Sequence, residues 1–181
     1  ISWGLKGNEK TIESINFKIL GKKRYFNKDG KLLAIFDGLH CSGMPVLDLV
    51  AKEKNNFESA INILDNFPKK IKTKTLIRLS WLNNHNFNTP YKSIVEKLKI
   101  NIDDGVKPFR PLLKNTRLTF FNYDSTGILE NLALNIPTVC YWHNTFGYIN
   151  PKFVDTYKLL VEANILFTKP NNLVQHIERN W

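Results

Sequence analysis

Apolar residues along this 181-residue chain fall into short blocks divided by polar turns, and strand-like and helix-like periods alternate through most of its length. Leu32–Phe36 (LLAIF) is an unbroken apolar run, the pattern of a parallel strand buried on both faces. Thr75–Leu79 (TLIRL), Leu118–Phe121 (LTFF), Pro137–Trp142 (PTVCYW) and the shorter Ile165–Phe167 read the same way. Asn16–Leu20 and Lys99–Ile102 are predicted as brief strands, the first followed by a Lys-rich loop with an Asp29-Gly30 turn. Helical spacing takes over in Asn55–Asn66, where Phe57, Ala60, Ile61 and Leu64 share a face. It returns in Tyr91–Leu98 behind Thr89-Pro90, and in the short Pro108–Lys114 segment. Gly127–Leu134, Lys152–Ala163 and Asn171–Arg179 complete the helices, with Phe153, Tyr157, Leu160 and Val161 as the apolar side of the second. Strands alternating with helices of about ten residues indicate βαβ units. The expected fold is therefore α/β, a Rossmann-like three-layer sandwich around a mainly parallel sheet.

That architecture says where a ligand goes. In open α/β sheets ligands bind beyond the carboxyl ends of the strands, where helix N-termini point outward. The stretch Phe121–Gly127 (FNYDSTG) is such a strand-to-helix junction. Unpaired amides in a first helical turn, with the positive end of the helix dipole, favour an anion. Ser125 and Thr126 add hydroxyls, and Gly127 leaves the backbone open to close approach. The competing reading is that Asp124 or Ser125 simply caps the helix. Glu130 falls early in that helix, while Ile128, Leu129, Leu132 and Ala133 are expected to be buried. Its carboxylate suits two sugar hydroxyls, or serves the helix start as a capping partner.

Composition narrows the classes. The net charge is +10, and residues 1–120 hold 22 Lys and Arg against 11 Asp and Glu, so the basic character lies outside the junction segment. A basic surface attracts nucleic acid, anionic lipid or phosphorylated sugars, and is equally the solvated face of a Lys-rich protein. The run Lys69, Lys70, Lys72 and Lys74 has no interleaved aromatics, and no nucleic-acid-binding motif is present, so no nucleic-acid partner is expected. Cys41 and Cys140 are too few for a disulfide framework and lack paired metal spacing. Both are expected to be reduced and buried, which suits a cytoplasmic setting. No metal site is expected, since the four histidines show no H-x-x-x-H spacing and no Asp-x-Asp pair occurs. No apolar run approaches a membrane span and no secretory signal is evident. The chain begins with Ile1 rather than Met, which suggests a C-terminal piece of a longer two-domain protein, with residues 1–31 as linker or edge segment.

The string NYDSTGILENLALNIPTVCYW resembles the signature of transferases encoded in O-antigen and other surface-polysaccharide gene clusters. Their C-terminal halves are similar to the nucleotide-sugar-binding domain of two-domain (GT-B) glycosyltransferases. The opening ISWG, TLIRLS and the terminal Trp181 fit the same resemblance. It implies that Ser125, Thr126 and Gly127 face the phosphates of a nucleotide-sugar donor, and that Glu130 faces its ribose or sugar. It also implies a saccharide or lipid-linked acceptor at the inner face of the membrane, with peripheral contact to anionic lipid. No tightly bound cofactor is implied. No N-terminal acceptor domain is visible, which departs from the full two-domain pattern.

Other residues remain candidates. Arg78 sits in an apolar strand, where an unpaired charge is expensive, and pairs either with a donor phosphate or with a structural carboxylate. His143 follows the PTVCYW strand and belongs to the ligand lip with Asn144 and Thr145, while His40 lies in the loop after LLAIF. Either is a candidate base, and either is as readily an exposed loop histidine. Lys107 and Arg110 could attract phosphate but read first as solvated charge, and Tyr141 and Trp142 read as core, although an aromatic there could stack on a base. Besides a glycosyltransferase, a nucleotide-sugar epimerase-like enzyme and a non-catalytic basic module binding anionic lipid or protein fit the pattern.

Overall fold

The computed structural model describes residues 27–36, 57–79, 96–103, 105–106, 108–123, 125–142 and 151–181. The strand expected at Asn16–Leu20, most of the Tyr91–Leu98 helix, and Cys41, His40, His85 and His143 lie outside those residues.

Six strands form one all-parallel sheet: β1 (Lys31–Phe36), β2 (Thr75–Leu79), β3 (Asn101–Asp103), β4 (Thr116–Phe121), β5 (Thr138–Tyr141) and β6 (Leu166–Phe167). Their order across the sheet is β3-β2-β1-β4-β5-β6. The chain thus builds outward from β1 to one side, then returns and builds from β1 to the other. The fold is the Rossmann-like α/β arrangement that alternation predicted, and its reversal falls between β1 and β4.

Side-chain alternation along the strands splits the core into two layers. Leu32, Ala34 and Phe36 of β1 join Ile77, Phe120, Val139, Tyr141 and Phe167 on one face. There they meet α1 (residues 57–65) through Phe57, Ala60, Ile61 and Leu64, the set expected from its spacing, and Leu173 and Ile177 of α6 (Pro170–Asn180). Burial pushes the Tyr141 hydroxyl pKa up, against a smaller downward pull from its hydrogen bond with Ser59. Leu33, Ile35, Phe121, Cys140 and Leu166 form the other face, covered by α3 (Phe109–Leu113), α4 (Thr126–Ala133) and α5 (Val154–Glu162). Cys140 is buried and outside any disulfide, as expected.

Three details differ from the sequence pattern. A one-turn helix, α2 (Lys69–Lys72), occupies part of the Lys run; it starts at Pro68, buries only Ile71, and carries Lys72 to Asp65 at 2.8 Å. A single apolar residue per turn leaves no periodic signal. In α5 no residue is fully buried: Tyr157 and Leu160 pack partly on the sheet, and Val161 is exposed, because the helix covers only the narrow β5–β6 edge. In α4 the expected buried Leu129 is instead 51% exposed, while Asn131 is fully buried.

Asn131 is buried because it has partners. Its Nδ2 donates to Thr119 Oγ1 at 3.0 Å, Thr119 donates to Thr138 Oγ1 at 2.9 Å, and Thr138 donates to the Ile136 carbonyl at 2.9 Å. The backbone adds Ile136 N–H to the Asn131 carbonyl and Thr119 N–H to the Pro137 carbonyl. This chain ties α4 to β4 and β5 at a fixed place along its length. Asn135, at φ 56°, closes the helix before that turn.

The amino ends of the strands are held as tightly. A Cβ on Gly30 would lie 2.7 Å from Arg117 N and 2.8 Å from the Thr116 carbonyl carbon, so only glycine lets the start of β1 approach β4 this closely. Arg117 donates to the Lys28 carbonyl at 3.0 Å and the Asn180 carbonyl at 3.3 Å, and its guanidinium lies 4.7 Å over the Trp181 ring.

Gly30→Ala is expected to destabilise the fold by about 1–3 kcal/mol, the usual cost of overpacking, read as a lower urea midpoint at unchanged slope. Thr119→Val should cost about 1–3 kcal/mol by stranding the buried Asn131 amide, and adding Asn131→Leu should lose less than the two single losses together. Additive losses in the same urea titrations would show that the two side chains do not depend on each other.

Candidate functional site

The reversal between β1 and β4 marks the crevice expected to take a ligand in a sheet of this order, at the carboxyl ends of those strands. At the β4 end the chain leaves Phe121, passes Asn122 and Tyr123, and enters α4 at Thr126. Ser125 is the N-cap: its backbone is extended (φ −120°, ψ 141°) and its Oγ accepts the Gly127 amide at 3.1 Å. The Ile128 amide turns back to the Ser125 carbonyl at 3.0 Å. Among the described residues no acceptor reaches the Thr126 amide. Ser125 therefore caps the helix by satisfying one first-turn donor, and Thr126 keeps an exposed side chain at the helix start.

Gly127 has a second reason to be glycine. A Cβ there would lie 3.2 Å from the Phe121 ring and 3.3 Å from Ser125 Oγ. The close approach is between helix and strand, and Phe121 is buried with little room to give.

Glu130, one turn into α4, keeps its side chain 22% exposed. Arg110 of α3, read from sequence as solvated charge, brings Nη2 to 3.9 Å from Glu130 Oε2, beyond hydrogen-bond range but close enough to add positive potential. Both face the rim where α3 and α4 begin. Arg78 meets a carboxylate of the neighbouring strand. Its Nη1 donates to Asp103 Oδ1 at 3.1 Å and its Nη2 to the Gly105 carbonyl at 3.0 Å, while the Gly105 amide donates to the same Asp103 oxygen. Asp103 is the residue paired with Arg78 in the β2–β3 register, so the ion pair, 12% exposed on each side, is built by strand alignment. His143 and His40 lie outside the described residues, as does Asp124.

Three cavities among the described residues lie elsewhere. One of about 400 Å³ opens at the amino ends of β4 and β5, by Arg117, Pro137 and Trp181. Another of about 320 Å³ lies by Gly30 and Asn115, and a third of about 530 Å³ runs along α6 by Asn172 and Arg179. His176 borders the first and third; its ring leans on Phe167 and burial lowers its pKa. None of the three is lined by Ser125–Glu130. Sequence patterning did not single out Asn131, since a polar residue in an amphipathic helix reads as exposed. Nor did it find Asp103, whose role needs the sheet register.

Ser125→Ala is expected to cost about 1 kcal/mol, the usual value of an N-cap side chain. Gly127→Ala should also destabilise, by about 1 kcal/mol, although alanine is the better helix former. A thermal melt in which Gly127→Ala gains stability would show that Phe121 yields to the added methyl.

Among the described residues no helix is long and apolar enough to cross a membrane. No curated protein and no solved structure matches the chain. The family profile described as "LIC12162 family transferase" matches residues 1–181, so the whole chain belongs to that family of transferases.

Proposed function

We propose that this transferase is a glycosyltransferase of surface-polysaccharide (O-antigen) synthesis, and that the chain is its nucleotide-sugar-binding, GT-B-like part. The observation that carries this reading is the placement of the α4 N-terminus at the sheet's reversal point, with Glu130 one turn behind it. The donor diphosphate lies against the Thr126 amide and hydroxyl, with Ser125 and Gly127 shaping the turn. Glu130 accepts hydroxyls of the ribose or sugar, and Arg110 beside it contributes charge toward the phosphates. Glycosyl transfer breaks the bond between the sugar's anomeric carbon and the phosphate oxygen, so negative charge grows on the departing diphosphate. A preorganised helix end and a guanidinium stabilise that charge without reorganising. The acceptor, a saccharide or lipid-linked saccharide, loses its hydroxyl proton to a general base, for which His143 and His40 remain candidates. The basic residues outside the junction segment suit docking on an anionic inner membrane surface, and a cytoplasmic enzyme working at that face is part of this reading.

The test is thermal stabilisation by UDP-, GDP-, CMP- and dTDP-sugars. A ligand at 100 times its Kd adds about 2.7 kcal/mol to the native state. One class of donor should raise the melting temperature, while Thr126→Val and Glu130→Ala should each bind about tenfold more weakly at unchanged intrinsic stability. Parent-like binding by both variants would sink the site, and salt-sensitive vesicle binding without nucleotide affinity would favour a lipid-binding module instead.

A further inference from the structure

Among the described residues one buried side-chain donor has no acceptor, and it follows the strand beside β4. Trp142 is 8% exposed, and its indole Nε1 is buried without a hydrogen-bond partner among the described residues. Indole N–H is a donor with no acceptor role, and buried ones nearly always find a partner. The only other such atom among the described side chains is Asn131 Oδ1, an acceptor belonging to the polar chain further along α4.

The strand register fixes where Trp142 sits. Phe121 pairs with Cys140, and the Trp142 amide still donates to the Phe167 carbonyl at 3.0 Å, so strand-like pairing continues past the end of β5. Carried two residues on, that register sets Trp142 level with Tyr123, two residues before the Ser125 cap. Alternation puts Trp142 on the same face as Cys140, in the core layer that includes Ile128 of α4. Its ring lies 5.1 Å from that of Tyr157 in α5, tilted by 48°, which fixes the indole in place.

We propose that Trp142 is a ligand-binding residue, its indole N–H donating to an oxygen of a nucleoside diphosphate seated at the β4–α4 junction. This rests on the reading of that junction as the donor site. The fold leaves two donors without acceptors at this level of the sheet, the Thr126 amide and the Trp142 indole. A diphosphate carries several strong acceptor oxygens a few ångströms apart, and so answers both.

The 181-residue chain with ¹⁵N-labelled tryptophan and glycine is titrated with UDP, GDP, CDP and dTDP, the Trp142 indole signal being assigned by its loss in Trp142→Phe. With the nucleotide that binds, the indole proton should shift downfield and exchange more slowly with solvent, and Trp142→Phe should bind it about tenfold more weakly. An indole signal that stays put while the Gly127 amide moves would overturn this assignment and leave the junction reading intact. If no nucleotide moves either signal, both readings fall together. Should Trp142→Phe fold poorly, the indole signal is assigned by elimination from Trp3→Phe, Trp81→Phe and Trp181→Phe, and the titration of the parent chain still decides.

Discussion

The contact between β1 and β4 is the constraint on which the remaining architecture depends. These strands are distant in sequence, yet they are neighbours at the one place where the sheet changes its direction of growth. Their approach relies on the missing side chain at Gly30 and on the Lys31 amide donating to the Asn115 carbonyl at 2.8 Å. A parallel pair so far apart in the chain gains nothing from a tight hairpin, so its register must come from packing and from such contacts. Once β1 and β4 are joined, right-handed crossovers send α1 to one face and α3, α4 and α5 to the other.

The junction is precise because α4 is anchored below its exposed end. The Asn131–Thr119–Thr138 chain is a directed run of three side-chain hydrogen bonds in the core, and it fixes orientation although Asn131 Oδ1 has no partner among the described residues. Apolar packing alone tolerates small rotations of a helix on a sheet. A directional hydrogen bond from the buried side of the helix does not. The helix end, the Ser125 cap and Glu130 are therefore presented at a set angle, which is what stabilisation of a developing charge requires.

Much of the fold was readable in the chain itself. LLAIF, LTFF and PTVCYW announced buried parallel strands, and α4, α5 and α6 begin and end within two residues of where caps and prolines put them. Strand order was not readable, since nothing local says that β4 pairs with β1 rather than with β3. The candidate site divides in the same way. Ser125, Thr126, Gly127 and Glu130 are neighbours in sequence, and a local motif gathers them. Arg78 depends on Asp103, 25 residues away and adjacent only through the β2–β3 register, so the choice between phosphate and carboxylate had to await the sheet. Leu129 left its expected place in the core and Asn131 is buried, because hydropathy scores a residue by its kind, whereas a threonine partner on the neighbouring strand lowers the cost of burying an amide.

Arg117 gathers the Lys28 carbonyl, the Asn180 carbonyl and the Trp181 ring around one side chain. Guanidinium holds its proton throughout the range in which proteins stay folded, so this clasp is indifferent to acidity in a way that a histidine or carboxylate latch is not. The lower rim of the sheet behaves as a rigid base, joining the segment before β1 to the end of α6.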